Sequence, residues 1–167
     1  MLHLLDANVL ITASRDYYQL SRVPEFWEWL LHMGEAGNVK LVQEIAEEIT
    51  SGNDELAGWL SDEDHLAALR LDEEVDIALL QHVIATGYAS DLTDTEIEAV
   101  GRDPFLIAYA LRDTANRRVV TTEISRPTRQ RHNRHVPDVR GSVGVTCMNS
   151  FELVRTLDFS TSWRTRT

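Results

Sequence analysis

At 167 residues the chain has room for one domain with its own core and little room for two. Its apolar share of 43% and charged share of 26% are ordinary for a globular protein, which sets aside the disordered and fibrous classes. Cys147 is the lone cysteine, so no internal disulfide can form, and no apolar run approaches a membrane span; a cytoplasmic protein without a secretory leader is expected.

Residues 2–5, Leu-His-Leu-Leu, form an apolar run ending on Asp6, and Val9, Leu10 and Ile11 follow Asn8. This reads as a buried strand feeding a turn and a helix, the opening of a parallel α/β unit. Pro24 starts a helix with Trp27, Leu30 and Leu31 on one face, stopped by Gly34 and Gly37. Residues 39–51 read as a further helix, broken by Gly52-Asn53-Asp54, and 56–60 as a short one carrying Trp59. The acidic stretch 61–76 reads as solvated helix ends, and 73–87 as a helix. Asp103-Pro104 opens the most apolar helix, which runs to Leu111. Val119-Val120-Thr121 is a second buried strand ending at Thr122-Glu123, and a polar, Arg-rich loop fills 125–135. Residues 143–147 read as a third strand, 150–157 as a closing helix, and 159–167 as a flexible tail. Strands alternating with helices predict a single α/β domain over residues 1–158, with a mainly parallel sheet covered by helices on both faces.

The net charge of −11 argues against a nucleic-acid partner, but it is unevenly spread. Residues 1–111 hold 22 acidic and 5 basic side chains, whereas 112–167 hold 5 and 11. The densest basic stretch, Arg112 to Arg140, is thus expected to meet either a polyanion or an acidic surface.

In open parallel sheets ligands bind beyond the carboxyl ends of the strands. Asp6 and Glu123 both stand at such ends. Asp103, just before Pro104, occupies the position of a helix N-cap, a role compatible with facing a ligand through its second oxygen. In the helix 39–51, Leu41, Val42, Ile45 and Ile49 centre an apolar stripe. Glu48 lies about 80° from its centre, Glu44 about 120°, and Glu47 nearly opposite. Glu48 is thus best placed at the edge of the buried face, with Glu44 the alternative, and Glu47 belongs in solvent. Four carboxylates around one pocket repel one another. A hard divalent cation relieves that repulsion, and oxygen donors suit Mg²⁺ or Mn²⁺. No His/Cys set has zinc spacing; His132 and His135 are preceded by no cysteine.

The order of these motifs resembles the PIN-domain nucleases: Asp6-x-Asn8 closing a first strand, a helical Glu, an Asp opening a long apolar helix, then Val-Val-Thr-x-acid. Within that superfamily the chain is most similar to a PIN-like family of unknown function, family 4411. That similarity runs through Phe26-Trp27-x-Trp29, Glu48-Ile49-x-x-Gly52-Asn53-Asp54, Trp59, Asp103-Pro104-x-x-Ile107-Ala108-x-Ala110, Val120-Thr121-x-Glu123 and Pro137-Asp138-Val139, from Leu2 to about Leu157. The resemblance implies that Asp6, Glu48, Asp103 and Glu123 are the catalytic, metal-holding acids. It implies that Thr121 and Asn8 support Asp6, and that Mg²⁺ or Mn²⁺ is the cofactor. It further implies a toxin-type endoribonuclease with RNA as substrate, a cognate antitoxin as partner, and a homodimer as a further assembly. Most PIN domains carry Asp where this chain has Glu123, and Asp138 stands as a substitute or fifth acid. Arg126, Arg129, Arg131 and Arg134, just after Glu123, are expected to hold the RNA strand, unless the loop docks on the acidic half of the chain instead.

Two other readings remain. One is a PIN-like interaction or nucleic-acid-binding module with little or no catalysis. The other, a phosphotransferase with a strand-end Asp nucleophile, wants a second acid where Asn8 stands.

Overall fold

The structure, a computed structural model, describes residues 1–165. Among these, four short strands pair: β1 (Leu2–Leu5), β2 (Val39–Lys40), β3 (Arg117–Val120) and β4 (Cys147–Met148). They form one sheet in the order β2-β1-β3-β4, parallel throughout. The register sets His3 against Val39, Leu5 against Val120, and Val120 against Met148. Successive strand residues point to opposite faces. His3, Leu4 and Leu5 are nonetheless all almost completely buried, so both faces of β1 are covered, as expected for a parallel α/β sheet.

The helices are α1 (Ala7–Thr12), α2 (Pro24–Glu35), α3 (Gln43–Thr50), α4 (Glu55–Leu60), α5 (Glu63–Leu69), α6 (Ile77–His82), α7 (Asp94–Val100), α8 (Asp103–Leu111), α9 (Val136–Ser142) and α10 (Ser150–Thr156). Wider turns prolong α1 through Tyr17 and α6 from Val83 to Tyr88. Pro24 and Pro104 sit in the first turns of α2 and α8, where their missing N–H costs nothing. Apolar side chains surround α8 on every side, and Leu106 to Ala110 are all buried, making it the central helix.

Several elements differ from the sequence reading. Residues 39–40 are a strand, because Val39 pairs with His3 before the helical stripe begins at Gln43. A short apolar run cannot distinguish the two states by periodicity. The acidic stretch contains α5, whose last residue Leu69 is buried, and Leu41 bridges Arg70 beside it. Gly34 lies inside α2; it is Gly37, at φ +73°, that leaves the helix. The segment 136–142 is helical, and the fourth strand begins only at Cys147. The helix α7 opens on a reciprocal Thr93–Glu96 cap, a signal present in the sequence.

The tryptophans build the core beside α2. Phe26 stacks on Tyr18 with ring centres 4.2 Å apart, and Trp59 meets Trp27 edge-on at 4.8 Å. Phe159 packs edge-on against both Phe26 and Tyr18, Trp163 stacks on His32, and Arg164 pairs with Glu28. Of the tail expected to be flexible, Phe159, Trp163 and Arg164 make these contacts, and its last two residues lie outside the described ones.

Where α2 crosses α5, a Cβ on Gly34 would sit 2.6 Å from the carbonyl oxygen of Ala68, whereas one on Gly58, in the exposed face of α4, meets nothing. Gly34→Ala should lower unfolding stability by about 1–3 kcal/mol and Gly58→Ala should raise it by about 0.5–1 kcal/mol. Urea titration of the two variants measures both signs, and equal effects would show that the α2–α5 approach is loose.

Candidate metal centre

In the order β2-β1-β3-β4 the chain leaves β1 toward one edge and later returns to fill the other. The crevice between the carboxyl ends of β1 and β3 is thus the switch point of the sheet. Asp6 follows β1 directly, and its backbone N–H donates to the carbonyl of Val120 at 2.9 Å, locking the two strand ends together. The Asp6 side chain is 2% exposed and caps α1. It accepts from the Asn8 amide N–H at 3.4 Å and from Asn8 Nδ2 at 3.1 Å. The Thr121 hydroxyl donates to it at 2.6 Å and itself accepts the backbone N–H of Glu123 at 3.1 Å. Burial pushes the Asp6 carboxyl above its ordinary value, and the Thr121 and Asn8 hydrogen bonds act against that.

Glu123 is fastened at its tip. Its Oε2 accepts the N–H of Val136 at 2.7 Å, the first residue of α9, where the helix favours negative charge. Asp103 is the first residue of α8 and makes no side-chain cap there, so the cap expected of it is absent. Its carboxyl is pushed up to about 8, first by burial and then by the charges of Asp6, Glu123 and Glu48. Glu48, on the exposed rim contributed by α3, is raised by desolvation of its carboxyl and then by Asp6. The four acids are thus linked through Asp103, which feels the charges of the other three. They form two classes: Asp6 and Glu123 accept protein hydrogen bonds, while the carboxylates of Asp103 and Glu48 accept none among the described residues. No three His, Cys, Asp or Glu side chains among those residues already stand at the spacing of a single ion's ligands. Oxygen-only donors, two of them uncommitted, match the chemistry of a hard divalent cation.

The other glutamates of α3 lie elsewhere. Glu47 is exposed, accepts from Gln43 at 2.8 Å, and meets Arg102 at 3.4 Å. The charge of Glu44 acts on Tyr109, whose phenol is raised to about 12 by burial and then by Glu44 and Glu73.

The remaining expected residues separate sharply. Asp138 is not a free acid: one oxygen accepts the Ser125 hydroxyl and the other the Arg126 backbone N–H at 2.7 Å, which ties down the loop after Glu123. Arg131 forks onto Glu96 at 2.7 and 2.8 Å and reaches Asp91 at 2.8 Å, at φ +53°. Arg134 donates to the carbonyl of Gly87 and, at 2.9 Å, to the carbonyl of Asp138 and the hydroxyl of Ser142. These two guanidinium groups are engaged within the chain, so the loop docks on the acidic half. The side chains of Arg126 and Arg129 are exposed and have no partner among the described residues.

Two further groups coupled to these acids carried no signal in the sequence. Arg102 precedes Asp103 and lowers Glu48 through its charge. Tyr88 is 7% exposed, and burial, then Asp103 and Glu123, hold its phenol far above the ordinary range. Burial pushes the Cys147 thiol up to about 11, away from the thiolate form that reacts.

The sequence profile of a family described as a domain of unknown function (DUF4411) matches residues 3–161, and the chain belongs to that family. No curated protein and no solved structure matches it.

Because the folded Asp103 carboxyl sits near 8 against an ordinary 3.8, folding retains its proton. The associated stability is complete below about pH 4 and declines as pH rises through 8. In metal-free protein Asp103→Asn should therefore leave Tm unchanged near pH 4 and raise it by several degrees at pH 8. Parallel melting curves for wild type and variant across that range would contradict the crowding of acids around Asp103.

Proposed function

We propose that this protein is a PIN-type, divalent-metal-dependent endoribonuclease that hydrolyses RNA phosphodiester bonds, with Mg²⁺ or Mn²⁺ held by Asp6, Glu48, Asp103 and Glu123. The observation that supports this reading is the switch point of the sheet, where the buried Asp6 ends β1 and Glu123 follows β3, and where Asp103 is raised by burial and by the charges of Asp6, Glu123 and Glu48. Such a set is unfavourable without a cation and favourable with one. When bound, the ion supplies an acidified water as nucleophile and positive charge against the phosphodiester oxygens.

The chain's own residues supply the rest. Thr121 and Asn8 hold Asp6 in one orientation, and Val136 holds one oxygen of Glu123. The longer side chain of Glu123 reaches the start of α9 from the end of β3, a span that its extra methylene serves. Asp103 and Glu48 keep their oxygens available. Arg126 and Arg129 offer the unpaired guanidinium groups of the loop to the strand's phosphates. A toxin role in a bacterial toxin–antitoxin pair, with a cognate antitoxin and a homodimeric form, belongs to the same proposal and rests on the resemblance alone; a cytoplasmic location belongs to it too and rests on the lone Cys147. The second reading, an interaction module with little catalysis, draws support from the internal engagement of Arg131 and Arg134 and from acids not yet at ligand spacing.

Calorimetry with MnCl₂ should detect binding to wild type, lost in Asp6→Asn. RNA cleavage should fall away in Glu48→Gln and persist in Glu47→Gln. Mn²⁺ binding without any cleavage across a panel of RNAs would favour the module.

The arginines give a separate test. Replacing Arg126 and Arg129 together with Ser should flatten the log–log salt dependence of single-stranded RNA binding by about 1.4 units, about 0.7 for each phosphate contact. Arg131→Ser should lower Tm and leave that slope unchanged. The reverse pattern would return the strand contact to Arg131.

A further inference from the structure

Tyr88 ends the segment Val83–Tyr88, which packs between α8 and α9. Its backbone is firmly held. A Cβ on the preceding Gly87 would stand 2.5 Å from Cγ1 of Val139, and the carbonyl of Gly87 accepts from Arg134. Arg134 thus braces the tyrosine from behind. The Tyr88 hydroxyl is fully buried and has no hydrogen-bond partner among the described residues. A buried hydroxyl left unpaired is destabilising and calls for an explanation. The carboxylates whose charges act on the phenol are those of Asp103, Glu123 and Asp6, in that order. Asp103, the foremost of them, accepts no hydrogen bond from protein in the described residues. The buried, unpaired donor thus belongs to a segment packed against α8, the helix that Asp103 opens.

We propose that Tyr88 is a positioning residue of the acid pocket, whose hydroxyl donates a hydrogen bond to the Asp103 carboxylate when a divalent cation is bound, fixing that acid's orientation. This inference rests on the metal-dependent reading above and adds to it a residue outside the four acids. A protonated, buried phenol suits this role because it donates without adding charge, and its rigid ring delivers the proton at a fixed place. Second-layer hydrogen bonds of this kind orient metal-holding carboxylates, and their loss weakens metal binding about 10- to 100-fold.

Tyr88→Phe removes only the hydroxyl. Calorimetric titration of the full chain with MnCl₂ should show affinity lowered about 10-fold or more. The Tm of the metal-free variant should be no lower than that of wild type, since an unpaired group has been deleted. Tyr109→Phe serves as control: its hydroxyl donates to the carbonyl of Glu73 at 3.1 Å, so it should lose Tm and keep wild-type Mn²⁺ affinity. Wild-type Mn²⁺ affinity in Tyr88→Phe would overturn the proposal, as would a lowered metal-free Tm, which marks a packing role. Absence of Mn²⁺ binding in the wild type would instead sink the nuclease reading itself, and this inference with it.

Discussion

The hydrogen bond from the Thr121 hydroxyl to the Asp6 carboxylate joins side chains 115 residues apart in the chain, beside the backbone bond from Asp6 to Val120. Asp6 is almost completely enclosed, and an ionised carboxylate there would be prohibitive without donors around it. Thr121 and Asn8 provide them, and Thr121 in turn receives the backbone of Glu123. The position of Glu123, and through Val136 that of α9, follows from the same junction. Removing the Thr121 hydroxyl would leave the most buried acid of the molecule with one neighbour fewer and loosen the path to Glu123.

Around that junction the molecule distributes its charges in two ways. Acids that organise structure are paired. Glu73 receives Arg117 through two contacts, Glu96 receives Arg131, and Asp138 receives the loop it ties down. Burial and neighbouring carboxylates disfavour ionisation at Asp103 and Glu48, and no protein donor among the described residues relieves it. A folded chain tolerates such a cluster when protons or a cation neutralise it, which is why the proposed divalent ion is the economical account of this crevice. The arginine-rich segment follows the same logic. Much of its charge balances the acidic first two-thirds of the chain, and only Arg126 and Arg129 of its loop, among the described residues, remain free to meet a polyanion.

Local pattern made part of this legible. The run Leu2–Leu5 ending on Asp6 and the run ending near Thr121 both announce buried strands with polar residues at their carboxyl ends, and these are β1 and β3. The helical stripe of Val42, Ile45 and Ile49 separates Glu48 from Glu47, and the structure keeps Glu47 in solvent while coupling Glu48 to Asp6. Strand β2 escapes the pattern because two residues carry no period, and α5 because its acidic surface obscures the buried Leu69.

What the sequence by itself determined was the α/β class, the order of elements and the placing of acids at strand ends and helix starts. Those features depend on periodicity and on neighbours a few residues away. Only the tertiary structure decided which charges stay free. Arg131 meets Glu96 from 35 residues away, and Arg134 meets Gly87 from 47. The Tyr88 hydroxyl is left unpaired by the packing of its segment against α8 and α9. Hydrogen bonds and ion pairs act over a few ångströms, so their partners are chosen by how distant segments pack, and the local residue pattern does not encode that choice.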